Sequence, residues 1–507
     1  MRTINQYKRS VIALLILLLI IQGAIAQQHK DTLQWCKQLK EAGNIKDSYS
    51  LLKDYLHHQP KDFNALWFTA KLAYWNYEIE PAEQFYQSAI ALQPKNLYLK
   101  LDYSMMLVEI AKFEGAIPLL KEYLKYDSLS KDAQIYLAKA YYWQGMTSEG
   151  LAVLNKVPAT IQNNNSIKAL RKEIKLVRAT NLTIKGGYNF DDQPLHDIVA
   201  GIQFSKNNSN LCNWSIAGNS HSFSNDSLNN KAYELHVGNK FTFYNAGMQI
   251  NAQAGIVSLP FASSTDFTGA IGITKKIVNG ISLLVEAEKK PYFSTISSTQ
   301  TKVMQTVVTA AINIDNLKAF TGRIQYQQQM FDGANVNSFS AWALTPAVKW
   351  KKLSAKAGYS YQMSDANNNT YTATMTLDSI RKYYPTSVNI PAVYTPYFTP
   401  KSQTIHSLLL WFNYQPTGKL SFTATGSIPL YASLSNPYLF LNTNTTNNTI
   451  LSKSYTTQTY SPIDFHFNMQ YHISERISAK AGYAYLKTSY YSGQFIDASL
   501  NILLLHE

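Results

Sequence analysis

Phe320-Thr321-Gly322-Arg323-Ile324-Gln325-Tyr326-Gln327-Gln328-Gln329-Met330 sorts its side chains onto two faces of an extended chain. Phe320, Ile324, Tyr326, Gln328 and Met330 fall on one face; Thr321, Arg323, Gln325, Gln327 and Gln329 fall on the other. A period of two is the mark of a β-strand with one apolar and one polar side. Such a segment is far too polar for a membrane-spanning helix, yet about ten residues suffice for a tilted strand to cross a bilayer.

The same contrast begins at Leu182, where Leu182, Ile184, Tyr188 and Phe190 alternate with Thr183, Lys185 and Asn189. It reaches the C-terminal region, where Phe465, Phe467, Met469 and Tyr471 oppose Asp464, His466, Asn468 and Gln470. Turn residues between these runs alternate in spacing. Tight connections are expected near Asn245, 278–280, 315–316, 350–352, 416–419 and 474–476, and longer polar ones at 224–230, 259–265, 291–300, 331–337, 364–403 and 432–460. Short turns at one end and long loops at the other distinguish a transmembrane barrel from a soluble sandwich. Counting hairpins predicts an antiparallel transmembrane β-barrel of about sixteen strands over 181–507.

Residues 27–162 follow a different rule, a repeat of about 34 residues that aligns blocks starting at His29, Phe63, Leu97 and Lys131. The eighth positions are Cys36, Ala70, Ser104 and Ala138, and the twentieth are Ser48, Ala82, Ala116 and Gly150. All are small, as is needed where two helix backbones approach. Leu52, Tyr86, Leu120 and Leu154 occupy the twenty-fourth positions and fill the space beside them. Pro60, Pro94 and Ser128 mark turns between copies. These columns resemble the tetratricopeptide repeat (TPR) family, which implies an all-α solenoid of about four repeats. A capping helix is expected over 163–180, with Ile167, Leu170, Ile174 and Val177 at helical spacing.

Arg2, Lys8 and Arg9 precede the apolar run Val11–Ile21 and then Ala24-Ile25-Ala26, the pattern of a secretory signal peptide over 1–26. Of 507 residues, 13% are aromatic and 35 are Tyr, a balance suited to strands flanked by interfacial girdles. Cys36 and Cys212 fall in different parts of the chain, so no disulfide framework is expected. The net charge of +14 suits an acidic polymer or the anionic lipopolysaccharide surface, and because the basic residues are scattered rather than clustered, nucleic-acid binding is not expected.

Alternation places Glu234, His236, Gln249, Asn251, Gln253, Glu286, Glu288, Arg323, Gln325, Gln327, Gln329, Asp464, His466, Asn468, Asp497 and Asn501 on the inner wall. Amides and carboxylates there can exchange with water around the hydroxyls of a passing glycan. On the repeats, Trp67, Tyr74, Trp75, Tyr77, Tyr141, Tyr142 and Trp143 either stack on a ligand's sugar rings or pack the helices, packing being the commoner use. His196 beside Asp197 and His406 beside Ser407 point to opposite faces of a strand, so no catalytic constellation is expected. No residue pattern calls for a cofactor or metal.

The order of signal, TPR array and barrel resembles the exopolysaccharide-secretion proteins of the outer membrane, and the barrel is similar to the YaiO-type family. Tyr394-Thr395-Pro396-Tyr397-Phe398-Thr399-Pro400-Lys401 resembles the aromatic-Ser/Thr-Pro element before a late strand in exporters of cellulose and poly-N-acetylglucosamine. Proline there removes a ladder donor and fixes the chain as it enters the strand, so Tyr397, Phe398 and Pro400 either fold inward or serve as a purely structural strand entry. The resemblance implies a non-enzymatic pore for an exopolysaccharide, with periplasmic repeats that dock a partner protein. The alternative is an outer-membrane scaffold whose repeats recruit a periplasmic protein while the barrel anchors it.

Overall fold

Small residues recurring at the repeat period let helices pair closely, and the helices form where those columns place them. The computed structural model describes residues 32–209, 212–243, 246–278, 280–317, 319–384, 389–443, 449–489 and 491–504; the expected signal sequence lies outside them. The chain divides into two compact units, the first ending at Lys172 and the second beginning at Glu173.

In the first unit α1 (residues 32–41) pairs with α2 (Ile45–His58), α3 (Phe63–Trp75) with α4 (Ile79–Leu92), α5 (Leu97–Glu109) with α6 (Phe113–Tyr126), and α7 (Lys131–Trp143) with α8 (Thr147–Asn155). Asp62, Asn96 and Ser130 cap α3, α5 and α7 by accepting from the amides of Ala65, Leu99 and Ala133, satisfying donors that the helix start leaves open. Cys36, Ala70, Ser104 and Ala138, and likewise Ser48, Ala82, Ala116 and Gly150, are buried, with Leu52, Tyr86, Leu120 and Leu154 beside them. This is a TPR-type solenoid. After a short turn, α9 (Ala159–Gln162), comes α10 (Asn165–Arg178), in which Ile167 and Ile174 are fully buried.

The second unit is one antiparallel sheet closed on itself. Its first ten strands are β1 (Thr180–Asp191), β2 (His196–Ser209), β3 (Cys212–Ser224), β4 (Asn229–Phe243), β5 (Met248–Leu259), β6 (Ser264–Val278), β7 (Ile281–Pro291), β8 (Met304–Leu317), β9 (Phe320–Phe331) and β10 (Ala334–Leu344). The short β11 (Val348–Trp350) leads into β12 (Leu353–Ala366), and an excursion follows, made of β13 (Tyr371–Ala373), α11 (Leu377–Tyr383) and β14 (Ile390–Tyr394). The ring resumes with β15 (Lys401–Thr417) and β16 (Leu420–Thr443), passes β17 (Thr449–Thr459), and ends with β18 (Ile463–His472), β19 (Ile477–Lys487) and β20 (Ser492–Leu504). β20 pairs with β1 from Thr180↔Leu504 to Asp191↔Gly493, which closes sixteen strands into a barrel without an edge.

Closure places both barrel ends of the chain at one rim, here called proximal. Proximal turns are short. Distal ones vary, and two differ from expectation. Residues 331–337 hold only the turn Asp332-Gly333, made compact by Gly333 at φ 93. Residues 432–460 are a hairpin rather than a polar loop: β16 runs past the ring and pairs with β17 from Ser433↔Thr459 to Thr443↔Thr449. Ser, Thr and Asn read as loop, but Thr and Tyr are also good strand residues when a neighbour supplies the ladder.

Large apolar side chains stand exposed on the outer face: Ile198 and Ile202 on β2, Leu235 and Val237 on β4, Phe267 and Ile271 on β6. Exposed hydrocarbon repeated around a closed sheet has no place in water.

Candidate functional site

Cross-strand register carries the inner face from strand to strand. On one row Lys185, Gly201, Asn219 and Glu234 are successive partners, and on the next His236, Gly255 and Thr268. Asn219 Nδ2 donates to Glu234 Oε2 (3.3 Å), and His236 Nε2 lies 3.4 Å from the same oxygen. Nδ1 of His236 lies 3.4 Å from Thr268 Oγ1, reaching across the intervening strand. It can do so because Gly255 stands between them: a Cβ there would come within 2.5 Å of that nitrogen. Asp197 and His221 pair at 3.1 Å nearby. That pair escaped sequence reading because its members lie 24 residues apart, on β2 and β3.

The other expected wall residues all sit on inward positions. Glu286 opposes Gly272 and Thr309 on β7, and Glu288 pairs with Lys290 at 2.5 Å. Gln325 Nε2 donates to Gln327 Oε1 (2.9 Å), and Gln329 Nε2 to Gln305 Oε1 (2.5 Å). Asp464 and His466 pair at 2.8 Å on β18, while Asp497 on β20 lies against Gly482. Arg323 lies between Asn313 and Trp342, its Nε buried without a hydrogen-bond partner. Glu234 with His236, Gln325 with Gln327, and Asp464 with His466 are brought together; Glu286 and Asp497 stand apart from these pairs.

The inner wall is not uniformly polar. Phe223, Val257, Trp342, Ile405, Leu409 and Trp411 share the inward register with Asp197, Glu234, Arg323 and Gln403. Assigning apolar residues outward is therefore wrong at these positions. Two causes are visible: a cap at the distal rim needs hydrocarbon to pack on, and a cavity along β10, β12 and β15 is lined by aromatics.

The cap is built from residues 292–303, between β7 and β8, and the excursion between β12 and β15. Phe293 packs on Phe223 and His221, with ring centroids 4.8 and 5.2 Å apart, and Asn230 Nδ2 donates to the carbonyl of Thr299 (2.8 Å). Because Phe223 and Asn230 point inward, this segment lies inside the mouth. Tyr397 stacks on Phe331 at 4.1 Å and 5°, and its hydroxyl donates to the carbonyl of Asp332. Thr295 Oγ1 donates to the carbonyl of Pro396 (2.6 Å), and the Phe398 amide to the Tyr292 hydroxyl (3.2 Å). Tyr397, Thr399 and Pro400 are buried, while Phe398 faces a cavity of about 790 Å³. Among the described residues no group of three or more His, Cys, Asp or Glu side chains has metal-binding geometry.

On the repeats, Trp67, Tyr74 and Tyr141 pack against the helical core. Trp67 Nε1 donates to Asp102 Oδ2 (2.7 Å), which also accepts from Tyr86 (3.0 Å) and pairs with Lys71 (2.8 Å). Trp75 and Trp143 are exposed, beneath Lys40 and Lys139 respectively. His196 and His406 contact the hydroxyls of Tyr188 and Tyr359 on the outer face, away from Asp197 and Ser407.

Residues 111–174 match the tetratricopeptide repeat family model. No curated protein matches the chain. Among solved structures, one described as a bacterial polysaccharide outer membrane secretin aligns at TM-score 0.45 and 8% identity, over 64% of this chain and 99% of that one. A structure described as MamA of AMB-1 aligns at TM-score 0.26 and 13% identity, over 28% and 78%. A thermophilic TPR protein from Thermus thermophilus aligns at TM-score 0.25 and 18% identity, over 29% and 81%.

Proposed function

Taking the chain as a tetratricopeptide-repeat unit followed by a closed sixteen-stranded β-barrel, we propose that it is a capped, non-enzymatic outer-membrane pore for an exopolysaccharide. One observation carries this reading: the closed sheet turns apolar side chains outward while its interior presents amides, carboxylates and aromatic rings. Bilayer hydrocarbon is the medium that such an outer face requires. Among the described residues no helix is long and apolar enough to cross a membrane.

In this reading the signal sequence over 1–26 directs a Gram-negative cell to export the chain, and lipopolysaccharide meets the outer rim. The repeats lie in the periplasm and recruit a protein partner, with Trp75 and Trp143 the exposed anchors. The barrel is of the YaiO type. Glu234, Glu286, Glu288, Arg323, Gln325, Gln327, Asp464, His466 and Asp497 form the glycan path, and Tyr397, Phe398 and Pro400 belong to its gate.

A strain lacking residues 32–178 of this protein tests the reading. Surface glycan should fall to the level of a strain lacking the whole chain, and unchanged glycan display would refute it. The distal cap favours a second reading, an anchor that conducts nothing while its repeats hold a periplasmic partner. Planar-bilayer recordings separate the two, since an anchor stays silent at every voltage and in every cap variant.

A further inference from the structure

Four consecutive long strands of the ring bring two cations and two indoles to one stretch of inner wall. Arg323 on β9 is the register partner of Trp342 on β10, and Lys356 on β12 is the register partner of Trp411 on β15. Trp342, Lys356 and Trp411 line the cavity of about 790 Å³ beneath Phe398, a volume in the range that accommodates small organic ligands. The Lys356 ammonium lies 5.4 Å from the centroid of the Trp411 ring and its Nζ donates to Thr321 Oγ1 (3.4 Å). Among the described residues no carboxylate lies within ion-pairing distance of Arg323 or Lys356, although most lysines of the repeats that face a neighbour pair with one. The carboxylates Glu234, Glu286 and Asp266 belong to β4 to β7, and Asp464, which lines the same cavity, is paired with His466 at 2.8 Å rather than with either cation. Lys356 in the cavity, and Arg323 beside it two residues from the lining residue Thr321, thus stand without a carboxylate partner next to two flat apolar faces, which suits something that carries both an acid and a ring.

We infer that this wall is a binding shelf for acidic sugar residues, a glycan bearing carboxylates on its rings. The guanidinium of Arg323 and the ammonium of Lys356 take the carboxylates, and Trp342 and Trp411 take the apolar faces of the sugars. A fatty acid would use Ile405 and Leu409 and answer one cation with its single carboxylate, leaving the other cation and both indole faces unused. The inference rests on the pore reading and names the class of polymer that the pore passes.

The test is calorimetric titration of the full-length protein in detergent micelles with oligogalacturonate, against a neutral cello-oligosaccharide of equal length and against myristate. Oligogalacturonate should bind about tenfold or more tightly than the neutral chain, as expected for charge-assisted hydrogen bonds, and the margin should shrink in high salt. The Arg323→Gln/Lys356→Gln variant should lose that margin, and Arg323→Lys/Lys356→Arg should restore part of it. Trp411→Leu should weaken both sugars. Heat-modifiable mobility in electrophoresis confirms that each barrel is closed, and should a glutamine variant not close, the conservative pair and the salt series still decide. Equal affinity for acidic and neutral chains, an unaffected glutamine variant, or tight binding of myristate in their place would overturn the shelf. Those outcomes are separable from failure of the pore reading, which shows instead as unaltered surface glycan in the strain lacking residues 32–178.

Discussion

Replacing Tyr397 by Ala should unfasten the cap, and the structure sets the size of the effect. Tyr397 is 5% exposed, stacks face to face on Phe331 and donates its hydroxyl to the Asp332 carbonyl. Truncating a buried aromatic ring costs roughly 3–5 kcal/mol, to which the stacked pair itself contributes about 0.5–1.5 kcal/mol. The loss falls on a contact between the excursion and the β9–β10 turn and leaves every ladder of the ring intact, so it acts on cap closure rather than on barrel closure. At 1.4 kcal/mol per decade, about 3–4 kcal/mol shifts the balance between open and closed mouths by roughly a hundred- to a thousandfold. Tyr397→Phe keeps the stack and loses only the hydroxyl, for about 1 kcal/mol and roughly fivefold. Single-channel recording in planar bilayers reads this directly, as open probability rising in the order wild type, Phe, Ala. If the Ala variant forms a heat-modifiable barrel and yet gates like the wild type, the cap is not what closes the mouth.

Two further expectations concern the repeats. Asp102→Ala strands the buried Tyr86 hydroxyl and the Trp67 indole without their shared acceptor, costing about 1–3 kcal/mol; the thermal transition of the helical circular-dichroism signal should fall, and Asp102→Asn, which keeps an acceptor, should recover most of it. Alkaline pH should melt the same helices. Burial first, and hydrogen bonds to Glu78, Asp62 and Asp102 or their charges after it, hold the phenols of Tyr49, Tyr55 and Tyr86 protonated well above the usual tyrosine range. Burial and Glu109 push Tyr136 up to about 12. Because the folded values lie above the unfolded value of about 10, this contribution is whole below pH 10 and drains away as pH rises through the folded values. Helicity followed from pH 8 to 12 should stay level and then drop; a decline that begins below pH 9 contradicts the assignment.

Much of the architecture is local information that the residue order carries by itself. Small residues at a fixed period dictate where helix backbones meet, so helix starts at Phe63, Leu97 and Lys131 coincide with the aligned blocks. Alternation likewise assigns polar residues such as Gln325, Asp464 and Asp497 to the inner face, since successive side chains of a strand must point opposite ways. What alternation cannot decide is the fate of an apolar residue whose register is inward. Trp411 and Phe223 carry apolar rings, and it is pairing with Lys356 on β12 and Asp197 on β2 that turns them into the lumen.

The periodicities are written in the residue order because they depend on backbone geometry shared by every helix and strand. The cap, the Asp197–His221 pair and the cation-aromatic wall depend on long-range register: Thr295 meets Pro396 across 101 residues, and Tyr397 reaches Asp332 across 65. The Asp197–His221 pair and the Arg323–Trp342 step need only the register of neighbouring strands, whereas the cap contacts wait until segments that are not neighbours in the sheet have been brought to one rim.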